Sequence, residues 1–345
     1  MGYSLNAVQA EAVLQALKQN YSVYAPKRFP KQGRYSDTDV IKYAEVEHYE
    51  DIVWQVKSDY PAKEVLTPIQ QAIFYFTEDE YRASKGPKKP ILILARPCDI
   101  NAQHVQAKIY AGNGGYTDLY YERMREKVKF ALMECNGGDD TCFCVSMGTN
   151  KTDDYSLALK FSDEGVQVQV TDETFAPYFE GMPQAGYTPA FVEENELKVT
   201  VPDLDDKAVR LALKSHPMWK EFDGRCISCG ACTVACSTCT CFTTRDVIYG
   251  DNPEVGERRR VTASCQIAGF DQMAGQREFR STAGERMRYK LLHKFHNYKA
   301  RFGEGQMCVG CGRCTHRCPE LISISATVNK VNAAVNEIKA GLAQQ

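Results

Sequence analysis

Fifteen cysteines are spread unevenly along the 345 residues: four lie before residue 221 and eleven between residues 226 and 318. Eight of those eleven form one pattern written twice. Cys226-Ile-Ser-Cys229-Gly-Ala-Cys232-Thr-Val-Ala-Cys236 is echoed by Cys308-Val-Gly-Cys311-Gly-Arg-Cys314-Thr-His-Arg-Cys318-Pro319. Both read C-x2-C-x2-C-x3-C, the spacing with which thiolates hold [4Fe–4S] clusters. A tight loop presents three thiolates to one side of a cube, and the fourth must come from elsewhere. Gly230, Gly310 and Gly312 let the backbone pass close to such a group. Zinc is the competing reading, but zinc sites use two C-x2-4-C pairs rather than a triple followed by x3-C.

In two-cluster proteins with this spacing the last cysteine of each motif serves the other cluster. Applied here, cluster 1 takes Cys226, Cys229, Cys232 and Cys318, and cluster 2 takes Cys308, Cys311, Cys314 and Cys236. The iron is held through these cysteines alone. The second motif ends in Cys318-Pro319, whereas the first ends in Cys236-Ser237 and lacks the proline that shapes the exit turn.

Four more cysteines form a looser set: Cys98, Cys135, Cys142 and Cys144. Cys98 and Cys135 each follow a short apolar run, and Cys142-Phe-Cys144 lies on a loop just beyond the second. We expect a third [4Fe–4S] cluster on these four. Buried cysteines that act as small hydrophobes, or a four-thiolate zinc site, are the alternatives. Cys239 and Cys241 read either as alternative ligands to Cys236 or as packing residues. Cys265 stands alone and reads as structural.

The elements that must position these residues follow from periodicity. Ile91–Leu94 and Phe130–Met133 are apolar throughout and read as strands buried on both faces. They deliver Cys98 and Cys135 at their carboxyl ends, where sites form in open α/β sheets. The 101–127 segment between them has room for a crossover, hence parallel pairing. Leu157, Leu159 and Phe161, then Val166, Val168 and Val170, alternate about a turn at Asp163–Gly165 and predict a hairpin. Ser4 is placed as the N-cap of a first helix. Residues 21–65 read as irregular with short elements, Leu197–Val201 as a strand, and Asp205–Ser215 as a helix. Met287, Leu291, Phe295 and Tyr298 recur at helical spacing within a basic stretch. That stretch contains Arg280, Arg286, Arg288, Lys290, Lys294, Lys299 and Arg301, with His293 and His296. Its default reading is a solvated face. Docking to an acidic partner, or positive potential near the clusters, is the second reading, and nucleic-acid binding the third. Val328, Val331, Val335, Ile338 and Leu342 make a narrow apolar seam on a C-terminal helix, which packs on its own domain or on a partner.

Composition narrows the classes. A net charge of −2 and 25% charged residues give no general attraction to nucleic acid or anionic membrane. No apolar run approaches a membrane span, and the N-terminus has no signal-peptide pattern. Asn6 stands where myristoylation needs Ser or Thr. A cytoplasmic protein is expected. An odd number of cysteines without an export signal argues against a disulfide framework. There is no G-x-G-x-x-G after a strand, no Walker A loop and no H-E-x-x-H. Electrons must therefore enter and leave through other subunits, and no catalytic residue is assigned.

Taken together, Ala95-Arg-Pro-Cys98-Asp99 after a strand, Cys135 with Cys142-Phe-Cys144, and the two motifs split by a basic insertion resemble the iron–sulfur electron-transfer component of anaerobic sulfite reductases. More distantly they resemble the iron–sulfur β subunits of cytosolic sulfhydrogenases. The resemblance implies an electron-transfer subunit, relaying single electrons from an NADH-oxidising flavin subunit to a sirohaem subunit that reduces sulfite to sulfide. A hydrogenase, sulfhydrogenase or heterodisulfide-reductase-type complex is the alternative. The fold expected is α+β: an N-terminal α/β-type sheet domain over 1–220, an α-helical dicluster ferredoxin-like domain over 221–325 with a basic helical insertion at 242–307, and a C-terminal helix over 326–345.

Overall fold

A computed structural model describes residues 1–303 and 305–344. Its strands are β1 (Gly2–Leu5), β2 (Ser22–Phe29), β3 (Val40–Glu45), β4 (Gln70–Phe76), β5 (Tyr81–Ala83), β6 (Ile91–Ala95), β7 (Val128–Met133), β8 (Leu157–Ser162), β9 (Gly165–Val170), β10 (Phe242–Ile248) and β11 (Gly256–Thr262). The fold is α+β, with an N-terminal sheet and a C-terminal helical region that carries the paired cysteine motifs.

The main sheet runs β1-β9-β8-β7-β6-β2-β3. Its centre is parallel: β6 pairs with β7 and β2, and β7 with β8. The outer pairs β1–β9, β8–β9 and β2–β3 are antiparallel. All five residues of β6 are buried, as an apolar run covered on both faces requires. One core cluster joins Leu92, Leu94, Ala131 and Met133 to the Ala7–Asn20 helix. The other joins Ile91, Ile93, Phe130 and Leu132 to the layer of Tyr110 and Tyr121. The crossover from β6 to β7 is the Pro97–Gly112 helix followed by a shorter one at Leu119–Arg125.

Three local expectations change. Asn6, not Ser4, caps the first helix: its side chain and Gln9 form a reciprocal capping box, while Ser4 sits in β1. Within residues 21–65 the short elements include two sheet strands, β2 and β3, which the mixed composition hides; β3 is the edge strand and β2 lies between it and β6. Leu197–Val201 is not a strand, because no neighbour among the described residues offers it a ladder. Its backbone is held instead by side chains, with Ser146 Oγ accepting from Val199 N at 3.0 Å.

The insertion at 242–307 is helical only in its second half. Its first half is the β10–β11 hairpin, and β11 pairs with β4 to give a second antiparallel sheet, β10-β11-β4-β5. Arg258, Arg259 and Arg260 lie on β11, where a basic strand satisfies its backbone against β4 regardless of side-chain type. The second half forms Ala283–Leu292, a π turn at His293–Asn297 and Tyr298–Phe302 without interruption. Met287, Leu291, Phe295 and Tyr298 are all buried. The C-terminal helix runs Ile324–Leu342. Val328, Val331 and Val335 pack into the helical core with Leu213 and Phe222, whereas Leu342 is exposed.

Candidate iron–sulfur centre

Each thiol set is built from backbone turns that only certain residues tolerate. In the first motif the helix Glu221–Arg225 stops at Cys226, and the chain then turns through Ser228 and Gly230 at φ +57° and +77°. In the second, Gly310 and Gly312 lie at φ +64° and +70°. A Cβ at Gly310 would stand 2.6 Å from the carbonyl of Phe143, and one at Gly312 2.2 Å from that of Thr141. The second motif is therefore pressed backbone to backbone on the Thr141–Cys144 loop. Phe143 N donates to Gly310 O at 2.8 Å, and Thr149 Oγ1 to Val309 O at 2.6 Å.

The side chains fall into groups across these turns. Cys226 lies within electrostatic reach of Cys232, Cys318 and Cys229. These four, with Cys314, Lys290 and Gln266, line one cavity. Cys314 and Cys308 both face Cys236 and Cys311. The last cysteine of each motif thus stands with the first three of the other. Cys144 faces Cys142 and Cys135, and Cys98 faces Cys144. Cys98 and Cys142 also face Cys311 of the second motif, with Cys142 Sγ 3.7 Å from Cys311 O. Pairwise contacts thus link the cysteines of the two motifs crosswise, and link Cys98 and Cys135 to Cys144 and Cys142 to both Cys144 and Cys311. Among the described residues no three Cys, His, Asp or Glu side chains converge on a point as a single ion would need.

Buried cations line the sets. Burial drives the Lys290 ammonium toward neutrality, but Cys232, Cys314, Cys239 and Cys236 outweigh it and hold its pKa well above the usual value. Lys294 is opposed by burial in the same way and raised by Cys236, Cys239 and Cys308. Its Nζ lies 3.3 Å from Cys236 Sγ and 3.0 Å from Thr238 Oγ1. Lys57 Nζ reaches Cys142 Sγ at 3.5 Å, Asp139 at 3.0 Å and Cys311 O at 3.0 Å. Arg96 Nη1 reaches Cys135 Sγ at 3.5 Å. A bare ammonium in a protein interior is costly unless it faces negative charge. Around Lys290 and Lys294 the facing groups are cysteine sulfurs. Cys236 is held well below the usual thiol range, first by a hydrogen bond from Cys239 and, against burial, by Lys294, Lys63 and Lys290. Burial pushes Cys308 up to about 12 and Cys144 to about 11. Metal binding would have to displace those protons.

A [4Fe–4S] cube with four thiolates is an anion that accepts hydrogen bonds at sulfur, and these surroundings fit it. Besides the lysines there is a donor without a partner among the described residues: Asn195 Nδ2 is buried and unmatched, while its Oδ1 lies 3.5 Å from Cys144 Sγ. Four thiolates per set match the coordination of such a cube.

From sequence, positive potential near the clusters ranks second, behind a solvated face. The solvated-face reading of the basic helix is overturned, since Arg286, Lys290 and Lys294 are each at least 95% buried. The signal was available: Lys290 and Lys294 fall in the same helical stripe as Met287, Leu291 and Phe295. His293 is not solvated either. It stacks on Tyr289 at 5.4 Å, and burial lowers its pKa to about 4. Nor is Cys265 alone, for its thiol is hydrogen-bonded to that of Cys241.

One more group ties the sets together. Arg313, inside the second motif, donates from Nη1 and Nη2 to the two carboxylate oxygens of Asp99 at 2.8 and 2.7 Å. Its other bonds go to Ser58 O, Ser58 Oγ and Ser237 Oγ. Asp99 follows Cys98 and Ser237 follows Cys236, so this one guanidinium touches a neighbour of each of two sets while belonging to a third segment.

Comparison with known proteins agrees with this geometry. Residues 225–322 match the 4Fe-4S dicluster domain. Over 340 residues the chain is 26% identical to sulfhydrogenase 2 subunit beta of Pyrococcus furiosus, covering 91% of this chain and 93% of the relative. No solved structure matches. Among the described residues no helix is long and apolar enough to cross a membrane.

Proposed function

We propose that the chain is the iron–sulfur electron-transfer subunit of a cytoplasmic oxidoreductase complex and holds three [4Fe–4S] clusters. The first is on Cys226, Cys229, Cys232 and Cys318, the second on Cys308, Cys311, Cys314 and Cys236, and the third on Cys98, Cys135, Cys142 and Cys144. The observation that carries the proposal is the meeting of the sets at Cys311, which belongs to the second and faces Cys98 and Cys142 of the third. Bound clusters supply one-electron transfer. The protein's part is to fix their separation, exclude water and set potentials through buried charge and hydrogen bonds to sulfur. Lys290, Lys294, Lys57 and Arg96 place positive charge where a reduced, more anionic centre is stabilised.

The terminal partner is best read as hydrogenase-type. The curated relative is a sulfhydrogenase β subunit, and the match runs along nearly the whole chain, which weighs for that alternative over sulfite reduction. An NADH-oxidising flavin subunit with a sirohaem subunit remains the second reading, carried by Ala95–Asp99 and the Cys142-Phe-Cys144 loop. Anaerobic co-purification with cofactor analysis separates them. A nickel–iron partner supports the first reading, a sirohaem partner the second, and a chain isolated without redox partners sinks both. Iron analysis should give about three cubes per chain at four ligands each. Cys98→Ser should remove one paramagnetic signal and spare two; iron for only two cubes refutes the third cluster.

A further inference from the structure

Three cysteines lie outside the twelve, and two of them form a pair. Cys241 immediately precedes β10, and Cys265 lies three residues beyond β11. In the hairpin register Phe242 faces Thr262, and one further bond, Ala263 N to Cys241 O at 2.9 Å, extends the ladder past it. Cys265 is then the diagonal neighbour of Cys241 on the same face, within reach of a side chain. The two sulfurs lie within interaction range of each other, and the Cys265 backbone N–H within range of the Cys241 sulfur. Gln266 Nε2 stands 3.7 Å from Cys265 Sγ. Cys265 is buried, whereas Cys241 is partly exposed and lines a cleft with Lys63, Tyr110, Phe242 and Arg260. The pair also sits against the proposed cluster sites. The Ser264–Ile267 loop that carries Cys265 walls the first motif, where a Cβ on Gly230 would meet Ser264 Cβ and Ile267 at 3.1 Å.

We propose that Cys241 and Cys265 are a redox-active dithiol that closes to an intramolecular disulfide in exchange with small disulfides, so that the loop walling the first motif responds to the surrounding thiol poise. The exchange balances. Cys241 sulfur, reached through the cleft, passes its proton to the Cys265 sulfur and attacks one sulfur of a small disulfide RSSR, giving Cys241–S–SR and releasing RS⁻, which takes up the proton from Cys265. Cys265 sulfur then attacks Cys241 sulfur, releasing a second RS⁻. Two thiol groups of the protein are oxidised, two RS groups are reduced, and the protons from the protein thiols pass to the released thiolates or to solvent. Two sulfurs on one face at the end of a hairpin, already facing each other, are placed to approach the S–S bond length of about 2.05 Å. The charge pattern suits the chemistry. The hydrogen bond from Cys241, and with it Gln266, Lys290 and Lys294, outweighs burial and lowers Cys265 to about 6, while Cys241 is raised by the same shared proton. The Cys265 thiolate then acts first as the base that takes the Cys241 proton and afterwards as the resolving nucleophile.

The inference does not depend on the electron-relay reading, and one experiment keeps the two apart. The full-length, cluster-loaded protein is equilibrated without oxygen in reduced and oxidised glutathione mixtures, quenched with N-ethylmaleimide and digested for mass spectrometry. Visible and paramagnetic cluster spectra are recorded on the same samples. The expected result is a Cys241–Cys265 linked peptide while the cluster spectra persist. The ratio of linked to alkylated forms should change tenfold for every tenfold change in [GSSG]/[GSH]², which is about 30 mV for a two-electron couple. In Cys265→Ser, glutathione should stay trapped on Cys241; in Cys241→Ser, Cys265 should remain unmodified. The wild-type measurement decides alone if either variant misfolds. The proposal is overturned if no linked peptide forms at any ratio, if Cys241 joins a different cysteine, or if linkage appears only after the cluster spectra are lost.

Discussion

Asp99→Asn tests whether the proposed cluster sites share one electrostatic core. Asp99 and Arg313 are each 1% exposed at the side chain and meet through two bonds of 2.7 and 2.8 Å. A guanidinium has five N–H donors, and here all five are used: two on Asp99, two on Ser58 and one on Ser237. Replacing the carboxylate by an amide keeps the shape, but it removes the carboxylate paired with this buried cation and turns one acceptor into a donor facing a donor. Removing one partner of a buried pair costs about 3–5 kcal/mol, because the other charge is left uncompensated. At these burials no discount for solvent screening applies. The assay is anaerobic urea unfolding of the cluster-loaded chain, followed by far-UV circular dichroism, on wild type, D99N, R313M and the double variant. The double variant removes both charges, leaving only neutral groups, at Ser58 and the new amide at position 99, short of a partner at about 1–3 kcal/mol each. It should therefore lose less than the two single variants added together, with a coupling of at least about 2 kcal/mol. A D99N loss under about 1 kcal/mol, or strict additivity, would falsify the claim that this pair is a compensated unit.

Three further outcomes follow from particular contacts. Lys294→Met deletes a buried charge 3.3 Å from Cys236 Sγ. At roughly 6 Å from the cluster centre and an effective dielectric constant near 20 the loss is about 3 kcal/mol, which lowers the potential of the second cluster by on the order of 100 mV; a redox titration followed by electron paramagnetic resonance that shows no downward shift rejects it. Gly312→Ala should destabilise much more than Gly137→Ala. Both positions have positive φ, costing about 1–2 kcal/mol for any Cβ, but only at Gly312 does the Cβ meet a carbonyl oxygen at 2.2 Å, whereas Gly137 faces open space; equal losses in thermal melting refute the close approach. Asp172 is buried enough to raise its carboxyl pKa, but hydrogen bonds from Lys129 and Thr174 more than offset this and hold it below the usual range. The sign is that of a depressed acid: its stabilisation is complete above the unfolded carboxylate pKa of about 4 and is lost as pH falls through the lower folded value. Asp172→Asn should lower stability at neutral pH and flatten the acid limb of the stability profile; an unchanged slope below pH 4 excludes the contribution.

The parts of this molecule legible in its sequence are those where one residue type answers one local demand. Cysteine spacing marks the two motifs because a cube needs a triple and a distant fourth thiolate. The all-apolar Ile91–Leu94 run marks β6 because a doubly covered strand has no polar face to show. What stayed hidden depends on partners far apart in the chain. β2 and β3 carry Lys27, Arg28 and Lys42, which look like loop residues until β6 supplies a parallel neighbour. β11 is basic along its middle and becomes a strand because β4, almost two hundred residues earlier, supplies the ladder. The lysines at 290 and 294 were visible as residues but were given to solvent. Charge on a helix is normally exposed, and only the facing cysteine sulfurs at Cys232, Cys236 and Cys314, from distant parts of the chain, give these ammonium groups buried partners.

These long-range dependences bear on how the chain can be divided. A cut near residue 220 looks natural from cysteine density alone, yet it would strip the second motif of one wall. Gly310 and Gly312 lie directly on the Thr141–Cys144 backbone, Lys57 spans Cys142 and the Cys311 carbonyl, and Arg313 is neutralised by Asp99. A fragment beginning at residue 221 would keep all eight motif cysteines but expose a guanidinium without its carboxylate and two left-handed glycines without the loop they fit against. By contrast, the first motif is walled by the Ser264–Ile267 loop and by Lys290, both of which remain in the fragment. The first thiol set should therefore survive truncation better than the second, although each draws a cysteine from the other's motif. The repeated pattern in the sequence conceals this asymmetry: two copies of one motif are supported by different parts of the fold.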